Sequence, residues 1–200
     1  HLQASAARRV LDAACGTGQH AVALAQRGYT TAGADLSAPM IARARQVAAA
    51  AGLTIPFEAL GFGQLAPVFT ASPLVPFAAR LCLGNSRPHL LTAPELAAAL
   101  ADIAACLRPG GVLILQNRNF DSLDASSDRW IEPQAHREGQ TERIFLRFYD
   151  YEPNGLITFN ILTLKRQGDA PWQQTVSAAR LRPLLQAELA QVLAAAGFDQ

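Results

Sequence analysis

Along the first half of this chain, short apolar runs alternate with stretches of helical periodicity. Val10-Leu11 opens a buried strand that runs through Asp12-Ala13-Ala14-Cys15 into the turn Gly16-Thr17-Gly18. A helix is predicted from Gln19 to Arg27, ended by Gly28, and a short strand from Thr30 to Ala34 stops at Asp35. Ser37 has the chemistry of an N-cap, with Pro39 in the first turn. Ile41, Ala44, Val47, Ala48 and Ala51 then share one helical face before Gly52, with Met40 assigned to the buried side. Leu53 to Leu60 reads as a third strand. Residues 61–77, punctuated by Gly61, Gly63, Pro67, Pro73 and Pro76, predict a loop, and Ala79 to Leu83 a fourth strand.

The next helix carries the strongest local signals. Thr92-Ala93-Pro94-Glu95 is a capping box, and Leu96, Leu100, Ile103 and Leu107 form the buried stripe. Arg108 is predicted in its last turn, with Pro109-Gly110-Gly111 as the stop. Val112 to Gln116 is a continuous apolar run, as expected of a central parallel strand. Repeated strand–helix units with short turns predict an α/β fold: a doubly wound, mostly parallel, Rossmann-like sheet with helices on both faces.

After Asn117 the period changes to two. Ile144, Leu146 and Phe148 alternate with Arg143, Arg147 and Tyr149. Glu152-Pro153-Asn154-Gly155 is a strong turn, Leu156 to Arg166 another strand, and Gly168-Asp169-Ala170-Pro171 turns into a third from Trp172 to Leu181. These predict an antiparallel β-meander inserted as a lid over the carboxyl edge of the parallel sheet. Leu185, Leu189 and Val192 then mark a last helix, stopped by Gly197. The expected organisation is a cofactor-binding core over residues 1–121, the antiparallel insertion over 122–182, and a helix returning to the core over 183–200.

Composition narrows the function classes. Hydrophobic residues make up 50% of the 200 and charged residues 16%, which describes a globular chain. A net charge of +1 is too balanced to point to nucleic acid or an anionic membrane as a partner. The three cysteines lack paired spacing, so no metal site or disulfide framework is expected. With no signal peptide and no apolar run long enough to span a bilayer, the expectation is a soluble, cytoplasmic protein.

The chemistry sits at strand ends. A glycine turn at the carboxyl end of the first strand lets a ligand approach the main chain, and Asp35, ending the second, is placed to accept both hydroxyls of a ribose. That pairing predicts an adenosine-containing cofactor, and two share the logic. Gly16-Thr17-Gly18-Gln19-His20-Ala21 fits the dinucleotide pattern G-x-G-x-x-A of an NAD-binding oxidoreductase. The acid at Asp12 and the wording D-x-A-C-G-T-G instead resemble the first motif of class I methyltransferases, which use S-adenosyl-L-methionine (SAM).

Two further segments sharpen the resemblance. Cys82-Leu83-Gly84-Asn85-Ser86, with His89-Leu90 behind it, and Pro109-Gly110-Gly111, with Arg118-Asn119 and Asp121 behind it, resemble the glycine/sarcosine N-methyltransferase group over about residues 8–121. The resemblance implies a SAM-dependent transferase that methylates the amine of a small amino-acid-like substrate. It implies SAM contacts at Ala14, Asp35, Leu83 and the Gly61-Phe62 pair, with Phe62 at the adenine. Asp12, Gly16, Gly18 and Leu36 complete the candidate cofactor set. By the same resemblance Arg118 grips the substrate carboxylate and Asn85 lies beside the substrate; Asn85 and His89 are the candidate catalytic residues, with no base obligatory. A planar guanidinium suits a carboxylate because it gives two parallel hydrogen bonds.

The residues also have plainer readings. Arg118 could pair with Asp121 or Asp124, Asn85 and Ser86 could cap their turn, and Phe62 could be a core aromatic. The chain departs from the family at Gly61, where relatives carry a polar or acidic side chain, and at Ala78, where they carry Asp. Arg80 is a charge inside an apolar strand. Relatives also have a longer N-terminal segment and a final pair of strands, so the chain is expected to be a fragment or to close its sheet differently. A catalytically silent SAM-binding module is therefore the alternative function, with the oxidoreductase behind it. The relatives include tetramers, which makes a homo-oligomer a further expectation.

Overall fold

The computed structural model describes residues 8–69, 71, 76–123 and 129–199. They fall into two units: the first comprises the described residues up to Arg87, Ala93–Arg118 and those from Glu188 onward, the second Pro88–Thr92 and Asn119–Ala187.

The first unit begins with β1 (Arg9–Ala13), α1 (Gln19–Ala25), β2 (Thr30–Asp35) and α2 (Ala38–Ala50), close to the elements the pattern predicts. Ser37 caps α2 as expected, its Oγ accepting the Met40 N–H at 3.4 Å with proline in the first turn. Met40 itself is exposed, not buried, because Ile41, Ala44 and Ala48 take the inner stripe. β3 (Phe57–Ala59) is three residues long, since Leu53 to Pro56 form the approach to the sheet and not part of it. The glycine- and proline-rich segment that predicts only a loop contains α3 (Leu65–Phe69). β4 (Phe77–Cys82) is buried along its whole length.

α4 (Ala93–Ala105) ends earlier than predicted, and β5 (Leu107–Leu115) begins before the Pro-Gly-Gly step. Arg108 therefore lies in a strand and not in a helical last turn. The strands are parallel in the order β3-β2-β1-β4-β5, so β5 is an edge strand among the described residues and not the central one expected. An edge tolerates Pro109, which has no N–H to donate.

The sheet is filled on both faces. Leu11, Ala13, Ala32, Ala34, Leu65, Phe69 and Phe77 pack on one side. Cys15, Val22, Ile41, Ala44, Ile55 and Phe57 form a second cluster with α1 and α2. Phe57 is seated by two glycines: a Cβ on Gly33 would come to 2.5 Å from its ring and one on Gly18 to 2.8 Å. Gly18 also holds φ +75°, so any side chain there would be both crowded and strained. Burying that ring contributes about 2 kcal/mol.

The second unit is an antiparallel sheet in the order β6-β7-β8-β9. β7 (Thr141–Tyr151), β8 (Ile157–Gln167) and β9 (Gln173–Leu181) are the expected meander. The polar strand β6 (Trp130–Glu138), which alternation does not reveal, extends it to four, with Pro133 at a register shift between Ile131 and Gln134. Leu156 N–H donates to Asn154 Oδ1 in the β7–β8 turn, as its sequence predicts. Phe120, Tyr149, Ile157 and Leu181 form this unit's core. α5 (Gln186–Ala195) closes the element order. None of its residues is buried, so the apolar stripe expected of it is only partly covered.

Candidate functional site

Because β1 to β5 are parallel, their five exit loops gather at one edge of the sheet. Those loops hold Ala14 to Gly18 after β1, Leu36 after β2, Gly61 and Phe62 after β3, Leu83 to Arg87 after β4, and Gln116 to Arg118 after β5. Asp12 lies within β1 and Asp35 ends β2. The structure thus brings all the predicted cofactor and acceptor residues to one edge except His89, which is exposed and belongs to the second unit.

The β1 turn is a tight construction. Ala14 adopts φ +60° and Gly16 φ +54°, and the Asp35 carboxylate holds the result. Asp35 Oδ2 accepts the Gly16 N–H at 2.8 Å, and Oδ1 accepts the Ser37 N–H at 2.9 Å. A carboxylate has about four lone-pair positions, so two remain for a ligand. A Cβ on Gly16 would meet nothing within 4 Å, so the open side of the turn is free for one.

Asp12 is 2% exposed, and its Oδ2 has no hydrogen-bond partner among the described residues. Burial, helped by the charge of Asp35, pushes its carboxyl up from 3.8 to about 7. His20 Nδ1 lies 4.0 Å away on the exposed side. Cys15 beside it is inert: burial first, then Asp12 and Asp35, push its thiol up to about 12. Two acids flank this turn, one of them buried with an unmatched oxygen. A ligand with net positive charge suits such a place, and SAM, with its sulfonium and ammonium against one carboxylate, is one. A pyrophosphate would face Asp12 and Asp35 directly.

The adenine-side candidates have mixed surroundings. Leu36 is 79% exposed, and a Cβ on Gly61 would approach its Cδ1 at 3.2 Å. Phe62 is half-buried and leans on the core cluster of Leu65, Phe69 and Phe77. Gly61 N–H donates to Gln64 Oε1 at 2.8 Å, which closes its own loop. Ala78 is buried within β4.

At the β4 and β5 exits the loops are tied by side chains that sequence reasoning passes over. Asn85, at φ +62°, accepts the Arg118 N–H through Oδ1 at 2.9 Å. Gly84 N–H donates to Gln116 Oε1 at 3.3 Å. Arg87, 1% exposed, donates from Nη1 to the Cys82 carbonyl at 2.9 Å and from Nη2 to Asn117 Oδ1 at 2.8 Å. Asp121 accepts the Gln186 N–H, while Asp124 lies outside the described residues. Among the described residues no three His, Cys, Asp or Glu side chains are grouped to hold a metal, and no helix is long and apolar enough to cross a membrane.

A doubly wound sheet with a glycine turn after its first strand and an acid ending its second, both on the carboxyl edge, has the form of α/β folds that bind nucleoside cofactors. The chain belongs to the methyltransferase domain family, whose pattern matches residues 10–111, and within it to the class I SAM-dependent methyltransferases. SAM is the cofactor of that class, and membership sets aside the oxidoreductase alternative. Among curated relatives, the glycine/sarcosine N-methyltransferase of Halorhodospira halochloris is 35% identical over 122 residues, 61% of this chain and 44% of that protein. The chain therefore spans under half the length of that relative. Among solved structures, SAM-bound CalS10, an amino pentose methyltransferase from Micromonospora echinaspora, superposes with a TM-score of 0.81 at 25% identity, over 98% of this chain and 78% of its own. The sugar N-methyltransferase KedS8 of Streptoalloteichus shares the fold, with a TM-score of 0.77 at 24% identity over 96% of this chain and 72% of its own.

Proposed function

We propose that this chain forms the SAM-binding part of an N-methyltransferase whose acceptor is a small amine bearing a carboxylate. The observation that carries the reading is the tie between the β4 and β5 exits, where Asn85 holds the backbone of Arg118 beside a cofactor turn of net negative charge. Bound SAM supplies a methyl already activated by its sulfonium. The chain's own part is then alignment and charge placement. Asp12, Ala14, Gly16, Gly18, Asp35, Leu36, Gly61, Phe62 and Leu83 hold the cofactor; Arg118 takes the acceptor carboxylate in a two-bond pairing, and Asn85 orients it. A neutral amine needs its lone pair aimed at the methyl and sheds its proton to water, so no base is required, and His89 is not needed for the step.

A second reading is an amino-sugar acceptor, favoured by the likeness to the amino pentose methyltransferase over 98% of this chain. The two differ in whether a carboxylate is recognised. Calorimetric titration with SAM, with NAD as control, followed by turnover of glycine, sarcosine and amino sugars, decides between them. Arg118→Ala is expected to raise KM for the amino acid by about a hundredfold, the loss of a charged bidentate pair, and to leave SAM affinity within about twofold. Equal loss of both would overturn the assignment of Arg118; an unchanged KM with an amino sugar as best substrate would favour the second reading.

A further inference from the structure

We propose that Arg87 is a positioning residue for the acceptor site, its buried guanidinium fixing the Gln116–Arg118 loop and thereby the place from which Arg118 meets a carboxylate. The inference rests on the role given to Arg118 under Proposed function. Beyond the backbone bond from the Gln116 N–H to the Cys82 carbonyl, three side-chain ties join the β4 and β5 exits, and two of them, Gly84 to Gln116 and Arg118 to Asn85, are exposed and compete with water. The third is buried on the Arg87 side and is the one that keeps its strength. The Arg87 fork takes one oxygen from each side, the Cys82 carbonyl at the end of β4 and the Asn117 side chain just before Arg118. A planar guanidinium holds two acceptors in fixed geometry, which a lysine ammonium does not.

Stability alone is a poor account of this arrangement. Arg87 Nε and Asn117 Nδ2 are buried without partners among the described residues, and unmatched donors cost free energy. Burying a guanidinium against two neutral oxygens, with no carboxylate partner among the described residues, costs desolvation that the bonds only partly return, so its use here points to geometry. Asn85, at φ +62°, a conformation asparagine adopts readily, supplies the opposite tie through its side chain.

The test compares Arg87→Met and Asn117→Leu with the wild-type chain, using glycine as the carboxylated amine and ethanolamine as an amine without one. Both variants are expected to raise KM for glycine about tenfold while leaving kcat and SAM affinity within about twofold, and to leave KM for ethanolamine unchanged. The double variant should be no worse than the worse single one, because both cut the same tie. Asn117→Asp keeps the acceptor and should stay near the wild-type KM. Amide hydrogen exchange at Asn117 and Arg118 should quicken in both Arg87→Met and Asn117→Leu. If Arg87→Met does not fold, Asn117→Leu carries the comparison. An unchanged glycine KM in folded variants, or equal losses for glycine and ethanolamine, overturns the inference alone. A wild-type chain that binds SAM but methylates no amino acid overturns the acceptor reading and takes the inference with it.

Discussion

Arg80 stands inside β4 with none of its side chain exposed, an unusual place for a charge. Its Nη1 donates to the carbonyls of Asp102 and Ile103, at 3.4 and 3.1 Å, so it caps the carboxyl end of α4, where a cation is favoured. Nε and Nη2 have no partner among the described residues, and burial pulls the guanidinium below its ordinary range. Two carbonyl bonds, one of which shares its oxygen with the Cys106 N–H, are set against the burial of a whole guanidinium. Arg80→Met, which keeps the volume and removes the charge, should raise stability by about 1 kcal/mol. Arg80→Ala should lower it by about 3 kcal/mol through the cavity left behind. Urea unfolding of both variants checks the pair, and loss of stability in Arg80→Met would mean that the cap dominates. The sequence flags Arg80 as odd because a charge interrupts an apolar run. It does not flag Arg87 or Asn117, since neither breaks a pattern and the two meet only through tertiary packing, 30 residues apart.

At the scale of elements, α3 shows why some structure was illegible. Its segment is rich in glycine and proline, and five residues are too few to sustain a helix on propensity. It forms because Asp102, 9% exposed on α4, reaches across to accept the N–H groups of Gly63, Leu65 and Ala66 at 2.9, 3.0 and 2.7 Å. A helix start is thus capped by a residue 36 to 39 positions away, which no local reading supplies. Asp102→Ala should cost about 3 kcal/mol and release the 61–69 segment, whereas Asp102→Asn, which keeps one acceptor oxygen, should cost about half as much. Thermal unfolding gives the stability, and hydrogen exchange at Leu65 and Ala66 reads the helix directly; protection retained in Asp102→Ala would refute the cap. Elements whose cues are local were legible: the Ser37 cap, the β1 turn with Asp35 nineteen residues on, and the Asn154 turn. The long β5 was not, because Pro-Gly-Gly reads as a stop and becomes tolerable only at a sheet edge.

For the whole molecule, the buried Asp12 at the β1 turn predicts a pH dependence of stability and of cofactor binding. Asp12 holds its proton to about pH 7 in the folded chain against 3.8 when exposed. A carboxyl with a raised folded value contributes stability that is complete below about pH 4 and is lost as pH rises through about 7. The protein alone should therefore melt at falling temperature from pH 5 to pH 8 on this group's account. Binding of a net positive ligand favours ionised Asp12, so SAM affinity should rise over the same window, with proton release below it. At a hundred times Kd a ligand adds about 2.7 kcal/mol, a shift readily seen in melting. The gain in Tm from a fixed SAM concentration should then be larger at pH 8 than at pH 6, opposite in trend to the unliganded protein. Asp12→Asn should flatten both trends, while His20→Gln, which alters the exposed neighbour 4.0 Å away, should preserve them. NAD, bringing a pyrophosphate to the same two acids, should give no shift at either pH. A SAM-induced gain that shrinks as pH rises, or trends that persist in Asp12→Asn, would remove Asp12 from the cofactor's surroundings.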